Sequence, residues 1–262
     1  MLRPRISPCL LIRNGGLVKT QQFKNEKYIG DPLNAVKIFN EKAVDELIIL
    51  DIDATTLEKE PNYSLLQRLA DESRMPLCYG GGINSIESAE RIIQMGIEKI
   101  AMSSAALKDP NLITQISNSI GQQSVVCVLD VKRKMFGDYS IFINNGTKKI
   151  DGKLIDWINI LQDSGTGEVL INSIDRDGMQ NGYDFKLVRS IINDLTVPST
   201  FLGGASSLSD IGDLIAFRGI GGCAAGSLFV FKGKYKAVLI NYPKFEDKYN
   251  LIVENLNKFQ NS

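Results

Sequence analysis

The chain reads as one plan laid down twice. Its first half carries Ile49-Leu50-Asp51-Ile52-Asp53, then Gly80-Gly81-Gly82, then Ser103-Ser104. Its second half carries Ser173-Ile174-Asp175-Arg176-Asp177-Gly178, then Gly203-Gly204, then Gly226-Ser227, each displaced by about 123 residues. Two half-barrels fused in tandem give that pattern, with halves of about 1–122 and 123–262 in a single domain. Short apolar runs fall at Ile6–Ile12, Glu46–Asp51, Pro76–Tyr79, Lys99–Met102, Val125–Val131, Glu168–Ile174, Pro198–Leu202 and Gly222–Ala225. Amphipathic stretches lie between them: Pro32–Lys42, Ser85–Gly96, Asn111–Ile120, Leu154–Asp163, Phe185–Asn193 and Ser207–Phe217. Strands alternating with helices imply parallel βαβ units. With both halves repeating, the expected fold is α/β, a (β/α)8 TIM barrel. The alternative, a doubly wound open sheet, would more often carry GxGxxG after its first strand, where this chain has Asn14-Gly15-Gly16-Leu17-Val18-Lys19.

The bulk numbers fit that size of core. The chain has 262 residues, 44% of them hydrophobic, and its 30 basic and 30 acidic residues cancel. Nothing in the charge balance calls for nucleic acid or a membrane surface. The apolar run after Arg3 and Arg5 is broken by Pro8 and Arg13, so neither a signal peptide nor a spanning segment is expected, and the compartment reads as cytoplasmic. The four cysteines, Cys9, Cys78, Cys127 and Cys223, sit in or beside strand-like runs and read as buried packing. There is no CxxC and no histidine, which argues against a structural zinc site, and neither metal nor cofactor is called for. Acid–base chemistry must then come from Asp, Glu, Lys, Tyr or Cys.

Two long segments follow strands and therefore belong to the C-terminal face, where barrels place their chemistry. Arg13–Asp31 reads as a polar loop; Lys132–Lys153, with Met135-Phe136-Gly137-Asp138-Tyr139 and Asn144-Asn145-Gly146, reads as a β-hairpin with an Asn-Gly turn. Small residues at strand ends let backbone N–H groups face an anion. They occur here twice, as Gly82 with Ser103 and Ser104, and as Asp177, Gly178, Gly204, Gly226 and Ser227. Two such sets predict a substrate with a phosphate at each end. The competing explanation is that these glycines serve turns and close packing alone.

Taken together, Arg5-Ile6, Gly30-Asp31-Pro32, Asp45-Glu46-Leu47, Leu50-Asp51-Ile52, Gly80-Gly81-Gly82-Ile83, Asp130 with Lys132-Arg133, and Ser173–Gly178 followed by Gly182-Tyr183-Asp184 resemble the cyclase subunit of imidazole glycerol phosphate synthase, a histidine-biosynthesis family. The resemblance runs from about Arg5 to Phe229. It implies an imidazole-forming reaction fed by ammonia, which a separate glutaminase subunit makes at the N-terminal face. It further implies an ammonia gate at Arg5, Glu46, Lys99 and Glu168, a partner-facing surface at Glu98 and Gln123, and catalytic roles for Asp130 and Lys19. The family works with two aspartates, one per half. Asp130 matches one; Leu11 stands where the other belongs. Ser103 replaces an expected asparagine, Leu202 an expected serine, and Cys78 and Asn172 expected threonines. Losing one positioned acid or base costs about 10²–10⁴-fold.

The resemblance with that gap implies a divergent paralogue that docks a glutaminase, conducts ammonia and serves a different amidation, such as amidino-sugar formation for surface polysaccharide. Three alternatives stand beside it. One is a histidine-pathway cyclase in which Asp130 performs both proton transfers. Another is a non-catalytic adaptor that passes ammonia to a third, amidotransferase protein. The last is a structural barrel without a partner, which leaves the gate charges without a purpose.

Overall fold

The computed structural model describes residues 3–135, 137–217 and 219–260, so Phe136, within the second expected hairpin, lies outside the described residues. Eight strands pair in parallel in chain order: β1 (Arg5–Arg13), β2 (Leu47–Asp51), β3 (Leu77–Gly80), β4 (Lys99–Met102), β5 (Val125–Arg133), β6 (Glu168–Ser173), β7 (Ser199–Leu202) and β8 (Ile220–Ala225). β8 then pairs with β1, placing Arg5 opposite Gly222 and Pro8 opposite Ala225. That closure makes a (β/α)8 barrel and excludes the open sheet. The helices between strands are α1 (Pro32–Glu41), α2 (Tyr63–Glu72), α3 (Ile86–Gln94), α4 (Pro110–Ile120), α5 (Leu154–Asp163), α6 (Phe185–Ile191) and α7 (Leu208–Ile215), with α8 (Phe245–Gln260) last.

Local sequence explains these elements. Asp31 caps α1 by accepting from Asn34 N at 2.9 Å, Pro32 takes the first helical turn, and Ala35, Val36 and Phe39 form the buried stripe. α2 and α8 were not anticipated. For α2 the signal was present: Asn62 accepts from Leu65 N at 3.1 Å, and Leu66 and Leu69 face the core. The tandem repeat reappears in the backbone. Ser85 and Ser207 both form capping boxes, with φ/ψ of −149/164 and −150/167. Ser103 and Gly226, which follow β4 and β8, share an unusual φ/ψ of −124/−80 and −100/−76.

The Arg13–Asp31 segment corrects the sequence reading. It is an antiparallel hairpin, Gly16–Gln21 and Lys24–Gly30, not a loop. Asn14 and Gly15 turn the chain with φ of 49° and 75°, and Leu11 then faces Val18 across the ladder. The polar residues that suggested a loop lie mostly on the outer strand, while Leu17, Val18, Lys19 and Thr20 are buried. The second hairpin forms as expected, Tyr139–Ile143 against Lys148–Ile150, turning at Asn144-Asn145-Gly146.

Strand alternation divides the apolar side chains into two cores. An outer core, including Phe39, Leu69, Ile92 and Phe229, fills the space between sheet and helices. An inner one, including Cys9, Leu11, Ile48, Cys78, Val126, Val128, Leu170 and Leu202, fills the barrel. The four cysteines are free and buried, two in each core, and burial pushes the Cys9 thiol up to about 11 and the Cys127 thiol up to about 12. Among the described residues no helix is long and apolar enough to cross a membrane.

The C-terminal segment fastens the start of β1. Asp45 accepts from Ile6 N at 3.0 Å and from the buried Lys248 Nζ at 2.6 Å, while Tyr242 Oη donates to Ile6 O at 2.7 Å. Removing one partner strands a buried cation. Asp45→Ala is therefore expected to lower unfolding free energy by about 2–4 kcal/mol in urea titrations at neutral pH; a loss of a few tenths would show that α8 does not secure the barrel.

Candidate functional site

The inward face of each strand stacks side chains along the barrel axis, so the site can be followed from the N-terminal end upward. At that end Arg5, Glu46, Lys99 and Glu168 close a ring of alternating charge. Arg5 Nε lies 3.2 Å from Glu46 Oε2, and Arg5 Nη2 lies 2.6 Å from Glu168 Oε1. Lys99 Nζ lies 2.8 Å from both Glu46 Oε1 and Glu168 Oε2. Ser7 Oγ donates to Glu46 Oε2 at 3.2 Å and Thr200 Oγ1 to Glu168 Oε1 at 2.6 Å. Glu46 and Glu168 are buried, so these are not the weak pairs of a solvated rim. Burial pushes the Glu168 carboxyl up, but Lys99 and Arg5 outweigh it and hold it below its ordinary value.

Above the ring the barrel is apolar: Cys78, Val126, Ile48, Ala101, Val128 and Leu170 line it. A packed apolar interior of this kind disfavours ions. The apolar stretch ends in a cavity at the C-terminal mouth, lined by Leu11, Asp130, Asn172, Leu202 and the glycine-rich strand ends.

Asp130 and Asn172 are register partners on β5 and β6. Asn172 Nδ2 donates to Asp130 Oδ1 at 2.9 Å. Burial pushes the Asp130 carboxyl up from 3.8 to about 7, against the bond from Asn172, with Asp177 adding to the rise. A carboxyl poised near neutrality suits general acid–base work. Leu11 lines the same cavity from β1, four strands round the barrel, and offers no proton.

The first small-residue set comes together at the mouth. Gly82 N donates to Thr55 Oγ1 at 3.4 Å; Ser104 Oγ donates to Asn144 Oδ1 and accepts from Asn144 N, both at 3.2 Å; Ser103 Oγ is buried without a partner. In the second set, Gly178, Gly204, Gly226 and Ser227 line the cavity. Lys19 lines the same cavity as Asp130. Its Nζ donates to Cys9 O at 2.6 Å in the space that a Cβ at residue 226 would occupy, which explains the glycine there. Burial pushes Lys19 below its ordinary value, with Cys9 and Asp177 opposing that. Asp177 fastens the first hairpin: its carboxylate accepts from Thr20 Oγ1 at 2.8 Å and its backbone oxygen from Gln22 N at 2.9 Å.

Glu98 and Gln123 are exposed at the N-terminal end, and Glu98 Oε2 also accepts from Leu77 N at 2.7 Å at the start of β3. Sequence reasoning missed Thr55, Asn144 and Asn145 as cavity residues. Asn145 Nδ2 donates to Ile52 O at 2.7 Å and ties the second hairpin to the loop after β2. The Asn-Gly turn signalled the hairpin, but nothing local showed that it folds back over the mouth.

With the ring, apolar core and mouth in place, the comparisons with known proteins are decisive. A family model described as histidine biosynthesis protein matches residues 5–236. The chain belongs to that family. It is 53% identical over 249 residues, 95% of this chain and 96% of the relative, to a protein of Vibrio vulnificus (strain YJ016) provisionally named an imidazole glycerol phosphate synthase subunit. A similarly named Pseudomonas aeruginosa protein is 50% identical over 243 residues, 93% of this chain and 97% of the relative. The imidazole glycerol phosphate synthase subunit HisF of Lactococcus lactis subsp. cremoris (strain MG1363) is 37% identical over 230 residues, 87% of this chain and 89% of the relative. This step in identity fits a divergent paralogue within the family.

The raised Asp130 carboxyl carries a stability consequence. Its folded value lies above its unfolded value, so charge on Asp130 opposes folding. The penalty is absent below about pH 4, grows as pH rises, and is complete above about pH 7. Asp130→Asn is expected to raise stability by about 2 kcal/mol at pH 8, discounted for water in the cavity, and by clearly less at pH 5. Thermal unfolding at the two pH values checks this; equal shifts would mean that Asp130 is solvated like a surface carboxylate.

Proposed function

We propose that this chain is the synthase subunit of a glutamine amidotransferase, taking ammonia from a glutaminase docked at its N-terminal face and conducting it through the barrel to an amidation at the mouth. One observation carries the reading: the four-charge ring at Arg5, Glu46, Lys99 and Glu168 is complete, whereas the acid–base pair at the opposite end has lost one member at Leu11. A chain that keeps the entrance and changes the reaction site serves a different acceptor. Amidino-sugar formation for surface polysaccharide is the acceptor chemistry we favour. The strand-end glycines and the buried Lys19 support a phosphorylated ligand across the mouth. Asp130 is the proton-transfer group, Lys19 and the glycine sets hold the ligand, and Glu98 and Gln123 face the glutaminase. Where the mouth only hands ammonia on, a third, amidotransferase protein takes it, and the chain acts as an adaptor.

The names of its relatives favour a second reading, an imidazole glycerol phosphate synthase cyclase of histidine biosynthesis. The two separate in one assay, ammonium-driven ring closure on the histidine-pathway ribonucleotide. The parent chain is expected to run at least about 10²-fold below Leu11→Asp, because the variant restores the second positioned carboxylate. A parent as fast as Leu11→Asp would establish the cyclase reading and remove the amidation one. The entrance is tested by gel filtration with a glutaminase subunit of the family. A one-to-one complex is expected in which Lys99→Ala changes glutamine-driven ammonia transfer and leaves ammonium-driven transfer unaltered; no complex would end both channel readings.

A further inference from the structure

On the connections between elements, large exposed apolar side chains fall on one face of the barrel. Tyr28 follows β1, Leu57 follows β2, Met135 follows β5, Met179 follows β6 and Tyr235 follows β8. Met135 is 97% exposed and Tyr235 90%. Among the described residues, no connection leading into a barrel strand exposes such a side chain. Four of the five adjoin the mouth. Thr55 lines the cavity two residues before Leu57, and Gly178 and Gln180 line it on either side of Met179. Phe23 reaches it from the hairpin that carries Tyr28, and Gly226 and Ser227 reach it just ahead of the segment that carries Tyr235. Apolar groups set around a cavity and turned to solvent, with polar groups among them, have the composition of a protein-docking surface.

One sector of this collar is strongly basic. A short ribbon, Phe231–Lys232 against Ala237–Val238, packs on the first hairpin. Lys27 Nζ donates to Lys236 O at 3.2 Å and lies 5.1 Å from the centre of the Phe231 ring. Lys24, Lys27, Lys232, Lys234 and Lys236 thus share one edge of the mouth, and among the described residues none of them is in an ion pair. Residues 227–244 contain four lysines and no acidic residue, and Glu26 of the first hairpin is already paired with Arg13.

We propose that this collar docks a third protein, one that carries the ammonia acceptor in its own active site and presents an acidic edge beside an apolar face. Charge complementarity sets the edge: lysines without partners on this chain are answered by carboxylates across the interface. A protein seated on the collar also closes the mouth, where ammonia would otherwise be protonated and lost to water. Leu11 in place of a second carboxylate fits a mouth whose acceptor chemistry is completed by another chain. A second copy of this chain does not supply the acidic edge. Its mouth carries the same lysines, and the hairpin across the barrel adds Lys132, Lys134, Lys148 and Lys149. An anionic bilayer answers the lysines but brings no acceptor to the mouth. The docking role presupposes the ammonia-conducting reading and names the partner of its hand-over form.

The test replaces Tyr235 by the photo-crosslinker p-benzoylphenylalanine in the full chain, irradiates it in its own cells, and purifies the protein it captures for binding to the chain–glutaminase complex. The captured protein is expected to form a ternary complex on gel filtration. Its affinity is expected to fall about tenfold or more in the double variant Tyr235→Ser, Lys234→Glu, and to fall with added salt. Both residues are exposed, so the variant is expected to melt like the parent and to bind the glutaminase unchanged. The proposal is overturned if Tyr235 captures nothing, a lipid or a second copy of this chain. It is equally overturned if the purified protein binds the double variant as tightly as the parent, or if that variant abolishes binding to phosphatidylglycerol vesicles instead. Failure here, with the glutaminase complex and its Lys99 dependence intact, removes the docking surface and leaves the ammonia-conducting reading standing.

Discussion

Closure of the parallel sheet is the constraint on which everything else depends. Once β8 pairs with β1, no edge remains among the eight barrel strands, and every second side chain of each must point at a common axis. Function is then written as a vertical sequence along that axis. Charges occupy the N-terminal end, where Arg5 and Lys99 each bridge Glu46 and Glu168. Apolar side chains occupy the middle, and Asp130, Asn172 and Leu11 the mouth. The layers depend on one another physically. An apolar middle is what desolvates Asp130 from below, and a ring with its charges fully paired is what allows four ionic side chains to sit at the base of an apolar interior.

The pairing within the ring is shared, not one-to-one. Each glutamate is held by both cations, and Ser7 and Thr200 add hydroxyl bonds from the adjacent level. Each glutamate therefore keeps one partner even without the other cation. Lys99 reaches both glutamates through a single nitrogen on a flexible aliphatic stem, whereas Arg5 uses two nitrogens in a fixed fork.

The barrel could be read from the sequence because its signals are local and doubled. Strand runs, the capping serines at Ser85 and Ser207, and the glycine sets each occur once per half. The ring members were found through the family resemblance, since strand-start charges look like any solvated rim until the strands close. What escaped was set by tertiary placement. The Arg13–Asp31 segment looked polar because its outer strand is exposed, which concealed the Leu17-Val18 alternation beside the Asn14-Gly15 turn. The packing of the Lys19 side chain against Gly226, set by the hairpin, was likewise not legible locally. Asn172 looked like a bare departure from pattern until its β5 neighbour and its orphaned carbonyl were visible together.

Leu11 gives the mouth its particular chemistry. Two facing carboxylates would raise each other by like-charge repulsion, and their protons would come off as a pair. Here Asp130 has no matching partner across the barrel, and burial is the largest cause of its rise. Burial in an apolar wall, with Asp177 adding to it and the Asn172 amide opposing it, thus brings the Asp130 carboxyl up to about 7. Such a site can take up one proton as a nitrogen forms a new bond. It has no carboxylate at residue 11, where β1 faces the same cavity. The substitution at residue 11 therefore leaves Asp130 facing an apolar side chain on β1, in a cavity whose base is the apolar interior.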